Sequence, residues 1–257
     1  MSNLTVGICT TVMNRFDDIT KTLQVNINDN SNDPNVKFIL LDYNSSDDLP
    51  NWINTNCKSE IDLGRLIYAR TTQPQYYSMS HSRNLAFLIG GLNGCDVVNN
   101  VDADNYTKPG FSNKVRELAL QNEHPLIIKS KRLMRGRLGM LFSDFTKIGG
   151  YNEELEGYGH DDKDLMERAI MAGLTSFYFG GEFIDRIKTD KQQKVANMRI
   201  KNWRETENAN KEISARNLAD GKIIANEGKK WGEGTLQINF DKTLSIYYSN
   251  GILDRRA

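Results

Sequence analysis

An apolar segment that ends in two closely spaced carboxylates constrains the possible fold most strongly. Residues 97–101 are mainly β-branched, Asp102 and Asp104 follow them, and Pro109-Gly110 is a turn signal. This pattern predicts a buried strand with acid at its carboxyl end, the edge at which open α/β sheets bind ligands. Hard divalent cations bind paired carboxylates together with phosphates. We therefore predict a metal-diphosphate site, with a turn capped by the two acids as the alternative.

Apolar segments alternate with helical patterns before and after this strand. Strands are predicted at residues 4–12, 36–42 and 65–70, and helices at residues 19–27 and 79–88. The strands end in polar side chains, and such alternation is typical of a mostly parallel sheet covered on both faces. The sequence therefore predicts an α/β fold.

The last quarter of the chain has a different character. Residues 191–220 are polar with apolar side chains at roughly helical spacing, and short strands are predicted at residues 221–224, 235–240 and 243–248. We therefore predict a catalytic domain over residues 1–190. Residues 191–257 would form a small helical and β extension that packs on the core.

Composition narrows the classes of partner. The 257 residues include 33 basic and 33 acidic side chains, so no overall charge recruits nucleic acid or a membrane. The three cysteines show no C-x-x-C spacing, and no segment has the apolar length of a membrane helix. We expect a cytoplasmic protein without a membrane span.

A second acidic cluster follows two glycine-rich stretches. The first stretch is Gly149-Gly150, and the second leads into the cluster as Gly157-Tyr158-Gly159-His160-Asp161-Asp162-Lys163-Asp164. Acids at a helix start interact favourably with the helix dipole, which is the structural alternative. Three acids within four residues exceed what capping requires, so this cluster is a candidate for acid–base chemistry.

The order and spacing of these motifs resemble the GT-A nucleotide-sugar glycosyltransferases over about residues 4–190. The first half is similar to family 2. The second half resembles the β-1,4-galactosyltransferase group, whose Gly-Trp-Gly-Gly-Glu-Asp-Asp-Asp motif aligns with residues 157–164. The resemblance implies a Rossmann-like mixed sheet flanked by helices. It also implies a metal-dependent inverting glycosyltransferase that moves a hexose or pentose. The donor would be a nucleotide diphosphate sugar, with a UDP-sugar as the first choice, and the acceptor would be a hydroxyl group, with a saccharide as the first choice.

The resemblance assigns the nucleotide to the ends of the first two strands. Thr11 and Arg15 would contact the nucleotide, and Asp42 or Tyr43 would hold the base. The family usually has two acids at these two positions, so the Asp-Tyr pair of this chain departs from it and leaves the identity of the base open.

The metal is assigned to the Asp-x-Asp motif. Asp104 would bind Mn²⁺ or Mg²⁺ directly, Asp102 would face the ribose and the metal, and Arg83 would support the diphosphate or these acids, with a surface salt bridge as its alternative. Relatives add a histidine ligand that this chain lacks at that place. Asp185, Asp190 or water would then take the place of this histidine as the further metal ligand.

The acceptor is assigned to the second acidic cluster. Asp162 would be the base that removes the acceptor proton, and Asp161 would orient the acceptor. Tyr158 would stack on a sugar, with Gly159 and His160 beside the acceptor.

A basic run leaves a second acceptor class open. It consists of Lys129, Lys131, Arg132, Arg135 and Arg137. Such runs are usually a solvated face, but this one could bind diphosphate or track DNA phosphates. The alternatives are therefore a phage-type DNA glycosyltransferase acting on hydroxymethylated bases and a non-catalytic nucleotide-sugar binding module.

Overall fold

The computed structural model describes residues 4–129 and 136–256 of the chain. The described strands are β1 (Val6–Val12), β2 (Val36–Tyr43), β3 (Leu66–Thr71), β4 (Val97–Asn100), β5 (Asn105–Tyr106), β6 (Pro125–Lys129), β7 (Leu138–Leu141), β8 (Thr175–Phe179), β9 (Asp185–Arg186), β10 (Trp231–Ile238), β11 (Lys242–Ser249) and β12 (Ile252–Arg256). The described helices are α1 (Phe16–Asp29), α2 (Leu49–Asn56), α3 (Lys58–Asp62), α4 (Met79–Leu92), α5 (Phe111–Ala119), α6 (Phe142–Lys147), α7 (Asp161–Met171), α8 (Lys191–Val195) and α9 (Trp203–Ala219).

Ten of the described strands form one mixed sheet in the order β12-β11-β10-β3-β2-β1-β4-β7-β6-β8. The centre, β3-β2-β1-β4, is parallel, and β7 and β10 add to it in the antiparallel direction. β5 and β9 pair separately. The predicted fold class, an α/β sheet with a parallel centre flanked by helices, is confirmed.

Two hydrophobic cores cover the two faces of the sheet. In β2, Phe38 and Leu40 belong to one core, and Ile39 and Leu41 belong to the other. Alternate residues of a strand point to opposite faces, so a strand buried on both faces is apolar throughout. This explains why the central strands are continuous apolar segments in the sequence.

Strand pairing brings the predicted site segments to one edge of the sheet. β1 pairs with both β2 and β4, and the Thr10 hydroxyl donates to the Val101 carbonyl over 2.8 Å. The loop after β1 and the Asp-x-Asp segment after β4 are therefore neighbours at the carboxyl ends of parallel strands.

The residues after 190 join the main sheet through β10, which pairs with β3. The predicted strand at residues 221–224 is wrong. Gly221 has a φ of +71°, and the Lys222 amide donates to the Asn217 carbonyl over 2.9 Å, so this segment forms the turn that ends α9.

The three thiols, Cys9, Cys57 and Cys95, are buried and unpaired with one another. Among the helices in the described ranges, none combines the length and the apolar character that crossing a bilayer requires.

Candidate active site

A cavity of about 320 Å³ opens where the loops after β1 and β4 meet the start of α7. The predicted site residues that line it are Thr11, Arg15, Arg83, Asp102, Asp104, Tyr158, Gly159, His160, Asp161 and Asp162. Asp42, Tyr43 and Asp185 lie outside the cavity that the described residues enclose.

Arg83 joins the two acidic motifs. Its side chain is 3% exposed, Nη2 donates to Asp102 Oδ1 over 3.1 Å, and Nη1 donates to Asp161 Oδ2 and lies 4.0 Å from Asp162 Oδ1. The guanidinium also lies 5.5 Å from the centroid of the Tyr151 ring. Burial excludes a surface salt bridge, and the same cation contacts both motifs.

The position of Arg83 follows from α4. Ser78 caps this helix by accepting from the His81 amide, and Asn84, the next residue after Arg83, binds the Gly150–Tyr151 loop. The Asn84 amide group donates to the Tyr151 carbonyl over 2.9 Å and accepts from its N–H over 2.8 Å. Two adjacent residues of α4 therefore have different partners: Arg83 contacts the acids, and Asn84 contacts the glycine-rich loop.

Gly150 has little room for a side chain. Its φ is +67°, and a Cβ atom there would lie 2.7 Å from Asn84 Oδ1. A glycine is needed here because the backbone approaches α4 closely.

The Asp-x-Asp carboxylates differ in environment. The Asp102 side chain is 40% exposed toward the cavity, whereas that of Asp104 is 5% exposed. Burial and the Asp102 charge raise the pKa of Asp104. Although burial opposes it, the charges of Arg83 and Lys194 hold the pKa of Asp102 below its usual value.

The donor set fits a divalent cation. Two carboxylates whose charges repel each other provide hard oxygen ligands, and further positions remain for phosphate oxygens and water. Within residues 4–129 and 136–256, no group of three or more acidic, histidine or cysteine side chains could hold a metal ion. Asp102 and Asp104 would therefore supply the protein ligands, and a third is not evident in the described ranges.

The residues predicted to complete the metal shell are engaged elsewhere. Asp185 is half exposed and accepts from Lys108 Nζ over 2.6 Å. Neighbouring residues of β9 point in opposite directions, so Arg186 lines the cavity and Asp185 points away from it. Asp190 caps α8 by accepting from the Gln193 amide over 2.8 Å.

The second acidic cluster is presented by a left-handed turn. Gly159 has a φ of +95°, and His160, the residue before α7, has a φ of +72°. Burial lowers the pKa of His160. The turn points Asp161 and Asp162 of the first helical turn into the cavity.

Asp161 and Asp162 have different chemical properties. Asp161 is buried, and its Oδ1 atom has no hydrogen-bond partner among the residues that the structure describes. Burial and the Asp161 charge raise the pKa of Asp162 to about 7. A carboxylate with this pKa can take up a proton near neutral pH.

Asp164, the third acid of the cluster, has a structural role. It pairs with Arg168 over 2.8 Å, and Arg168 donates to the carbonyls of Ile148 and Gly150 over 2.9 and 2.8 Å. Both side chains are buried. This ion pair fixes the glycine-rich loop to α7.

The two residues predicted to bind the base lie outside the cavity and contact other parts of the fold. The Asp42 carboxylate accepts from the Tyr68 hydroxyl over 2.7 Å and from the Ser45 amide over 2.8 Å. The Tyr43 hydroxyl lies 2.6 Å from His81 Nδ1. Both residues belong to β2 and are buried, so Asp42 holds the loop after this strand and Tyr43 contacts α4.

Sequence reasoning missed the contribution of residues 186–207. The lining residues from this segment are Arg186, Gln193, Lys194, Asn197, Met198 and Glu207. The α9 helix also holds the Tyr158 loop. Thr206 Oγ1 accepts from the Tyr158 amide over 3.2 Å, and Asn210 donates to the Gly159 carbonyl over 2.8 Å. The polar helical pattern was visible in the sequence, but no motif indicated where the helix docks.

The basic run is only partly described. Lys131, Arg132 and Arg135 lie outside the described residues, and the backbone of Lys129 ends β6. Arg137 is buried and donates to the carbonyls of Phe183 and Tyr106. Arg137 therefore belongs to the cavity wall and not to a surface track.

A family model matches part of the chain. The model described as the N-terminal domain of galactosyltransferase matches residues 123–195, which include the second acidic cluster and α8. No protein in a search of curated proteins matches the chain significantly.

Solved structures match over most of the fold. The mannosyltransferase PcManGT from Pyrobaculum calidifontis, in complex with GDP-Man and Mn²⁺, is 18% identical with a TM-score of 0.58. The match covers 72% of this chain, which spans only 57% of the mannosyltransferase. TarS from S. aureus is 12% identical with a TM-score of 0.57, over 84% of this chain and 72% of TarS.

A third similar structure is a β1,4-galactosyltransferase. Drosophila β1,4-galactosyltransferase 7, as a mutant complex with manganese, UDP-Gal and xylobiose, is 11% identical with a TM-score of 0.52. The match covers 79% of each chain. The structural matches show that this chain has the GT-A fold of glycosyltransferases, and the galactosyltransferase model matches its residues 123–195.

Proposed function

We propose that this chain is a metal-dependent inverting glycosyltransferase that moves a sugar from a UDP-sugar to a hydroxyl group of a saccharide. The observation that carries the proposal is the position of Arg83, which contacts Asp102 of the donor motif and Asp161 of the acceptor motif in one cavity. A donor and an acceptor placed in the two halves would meet beside this guanidinium.

The acceptor half would activate the hydroxyl. Asp161, which lines the cavity, would accept a hydrogen bond from the sugar and orient it. Asp162 removes the proton as the hydroxyl oxygen bonds to the anomeric carbon. The bond from that carbon to the diphosphate breaks on the opposite side, its electron pair leaves with the diphosphate, and the configuration inverts.

The donor half would stabilise the leaving group. Arg15, Arg137, Arg186 and Lys194 line the cavity and provide positive charge against the departing diphosphate. When bound between Asp102 and Asp104, a divalent cation would neutralise further phosphate charge. These fixed charges favour an anionic leaving group over a neutral one.

The structural neighbours support this choice of ligands. PcManGT was solved with GDP-Man and Mn²⁺, and the Drosophila enzyme was solved with manganese, UDP-Gal and xylobiose. The galactosyltransferase-type segment of this chain favours UDP over GDP, and xylobiose supports a saccharide acceptor.

Arg137, the member of the basic run whose side chain the structure describes, does not favour the DNA alternative, because it is buried and donates to backbone carbonyls. The non-catalytic alternative is disfavoured because Asp161 and Asp162 both line the cavity. Binding to duplex DNA at low salt would revive the first alternative.

The decisive experiment measures sugar transfer and donor hydrolysis over a panel of nucleotide sugars with Mn²⁺. We expect Asp162→Asn to lower kcat by about 100-fold or more, because a positioned base contributes at least that much. The matched control is Asp220→Asn, which makes the same change at an exposed position at the end of α9. Equal rates for wild type and Asp162→Asn would overturn the assignment of the base.

A further inference from the structure

Lys194 contacts the acid that is predicted to bind the metal. Its Nζ atom lies 3.7 Å from Asp104 Oδ2, and Arg15 Nη2 lies at the same distance from the same oxygen. The Thr189 hydroxyl donates to this oxygen over 3.1 Å. Asp104 Oδ2 is therefore surrounded by donors, two of which are cations.

The backbone that carries Lys194 is firmly placed. Asp190 and Gln193 form a capping box at the start of α8. Past the end of this helix, Asn197 donates to the Met13 carbonyl over 2.7 Å and accepts from the Tyr77 amide over 2.8 Å. The helix is thus tied to the loop after β1, so the lysine side chain can change partner while the backbone stays in place.

The chemistry of lysine suits such a change. Its ammonium is a compact charge on a flexible stem and can contact any anion within reach. The side chain is 25% exposed and lines the cavity. A divalent cation on Asp104 would repel the ammonium, and a diphosphate in the same cavity would attract it.

We propose that Lys194 is a diphosphate-binding residue that leaves Asp104 for the diphosphate of the donor when a divalent cation binds Asp104. The proposal rests on the proposed function and extends it to a residue of the C-terminal segment. It predicts that Lys194 opposes binding of the metal alone and favours binding of the metal together with the diphosphate. Lys194 would thereby make the two ligands cooperative.

The test uses the full chain and Lys194→Met, with Mn²⁺, UDP and UMP as probes. Binding of Mn²⁺ alone is followed by the electron paramagnetic resonance signal of the free ion, and nucleotide binding in Mn²⁺ is followed by calorimetry. Lys191→Met is the control, because Lys191 is on the same helix and its Nζ lies 3.2 Å from the centroid of the Trp203 ring. Both substitutions remove one positive charge.

Two effects of opposite sign are expected for Lys194→Met. Without nucleotide, Mn²⁺ binds about threefold tighter or more, because a competing charge is gone. With Mn²⁺ present, UDP binds about tenfold weaker or more, because a charge-assisted contact is lost. UMP, which lacks the second phosphate, changes less than UDP.

A structural defect would weaken both ligands together, so that result would overturn the proposal, as would unchanged binding of both. Lys194→Arg keeps the charge, and it should retain UDP binding where Lys194→Met loses it. The control Lys191→Met should match the wild type. If the wild-type chain itself bound no nucleoside diphosphate with any divalent ion, the proposed function would fail first, and this inference would fail with it.

Discussion

At the scale of single residues, Arg83 has the most demanding environment. It carries a charge at 3% exposure and has carboxylates of two motifs as its partners. The sequence predicted that Arg83 would support the diphosphate or the acids of the Asp-x-Asp motif, which is the role of a cation beside carboxylates. It could not indicate that Asp161 is the second partner, because that contact depends on how α7 packs against α4.

Removing Arg83 should destabilise the protein. Arg83→Met would leave the buried Asp161 without its partner, and breaking a buried ion pair costs about 3–5 kcal/mol. The free energy of unfolding in urea measures this loss. Arg83→Met combined with Asp161→Asn should recover part of the stability, and a single variant as stable as the wild type would contradict the bridging role.

The pH dependence of the rate should report on Asp162. Its pKa is raised to about 7, and only the deprotonated carboxylate can act as base. We therefore expect kcat/KM to rise with pH through neutrality and to level off above it, with a fall of about tenfold per pH unit on the acid side. A flat profile between about pH 5.5 and 8 would exclude Asp162 as the base under the same reasoning.

At the scale of elements, the central strands were predictable because burial on both faces leaves a continuous apolar pattern. The pairing of β10 with β3 could not be predicted, because the two strands are far apart in sequence and meet only at the edge of the folded sheet. The contribution of α8 and α9 was missed for a related reason. Lys194 and Glu207 lie in polar helices whose pattern contains no motif.

The α9 helix should affect the acceptor more than the donor. Asn210 donates to the carbonyls of Glu156 and Gly159 over 2.9 and 2.8 Å, so it fixes the loop that carries Tyr158. Asn210→Ala leaves these carbonyls unpaired, and we expect the acceptor KM to rise several-fold while the donor KM changes little.

Steady-state kinetics with each substrate varied in turn measure the two constants. Lys211→Ala, an exposed substitution on the same helix, is the control. Equal increases in both KM values would contradict a role restricted to the acceptor side.

At the scale of the whole molecule, the C-terminal segment completes one of the two cores. Trp231, Leu236 and Ile246 are buried in the same cluster as Leu85 and Leu88 of α4. The boundary predicted at residue 190 remains a prediction, but the segment after it contributes both to the core and to the cavity.

Truncation after residue 190 should therefore prevent stable folding. The face of α4 that carries Leu85 and Leu88 would lose its apolar cover, which costs several kcal/mol in a domain of ordinary stability. Circular dichroism and size-exclusion chromatography of residues 1–190 measure the outcome. A monomeric truncated protein with a cooperative unfolding transition would contradict this expectation.

The burial of all three thiols makes the native chain a convenient host for spectroscopic probes. Burial raises the pKa of Cys57 to about 11 and that of Cys95 to about 12, so few thiolates are available to react. A cysteine introduced at an exposed position next to α8, such as Lys188, could be labelled without first removing the native ones. A fluorophore there would report the local environment of α8 as metal and nucleotide are added.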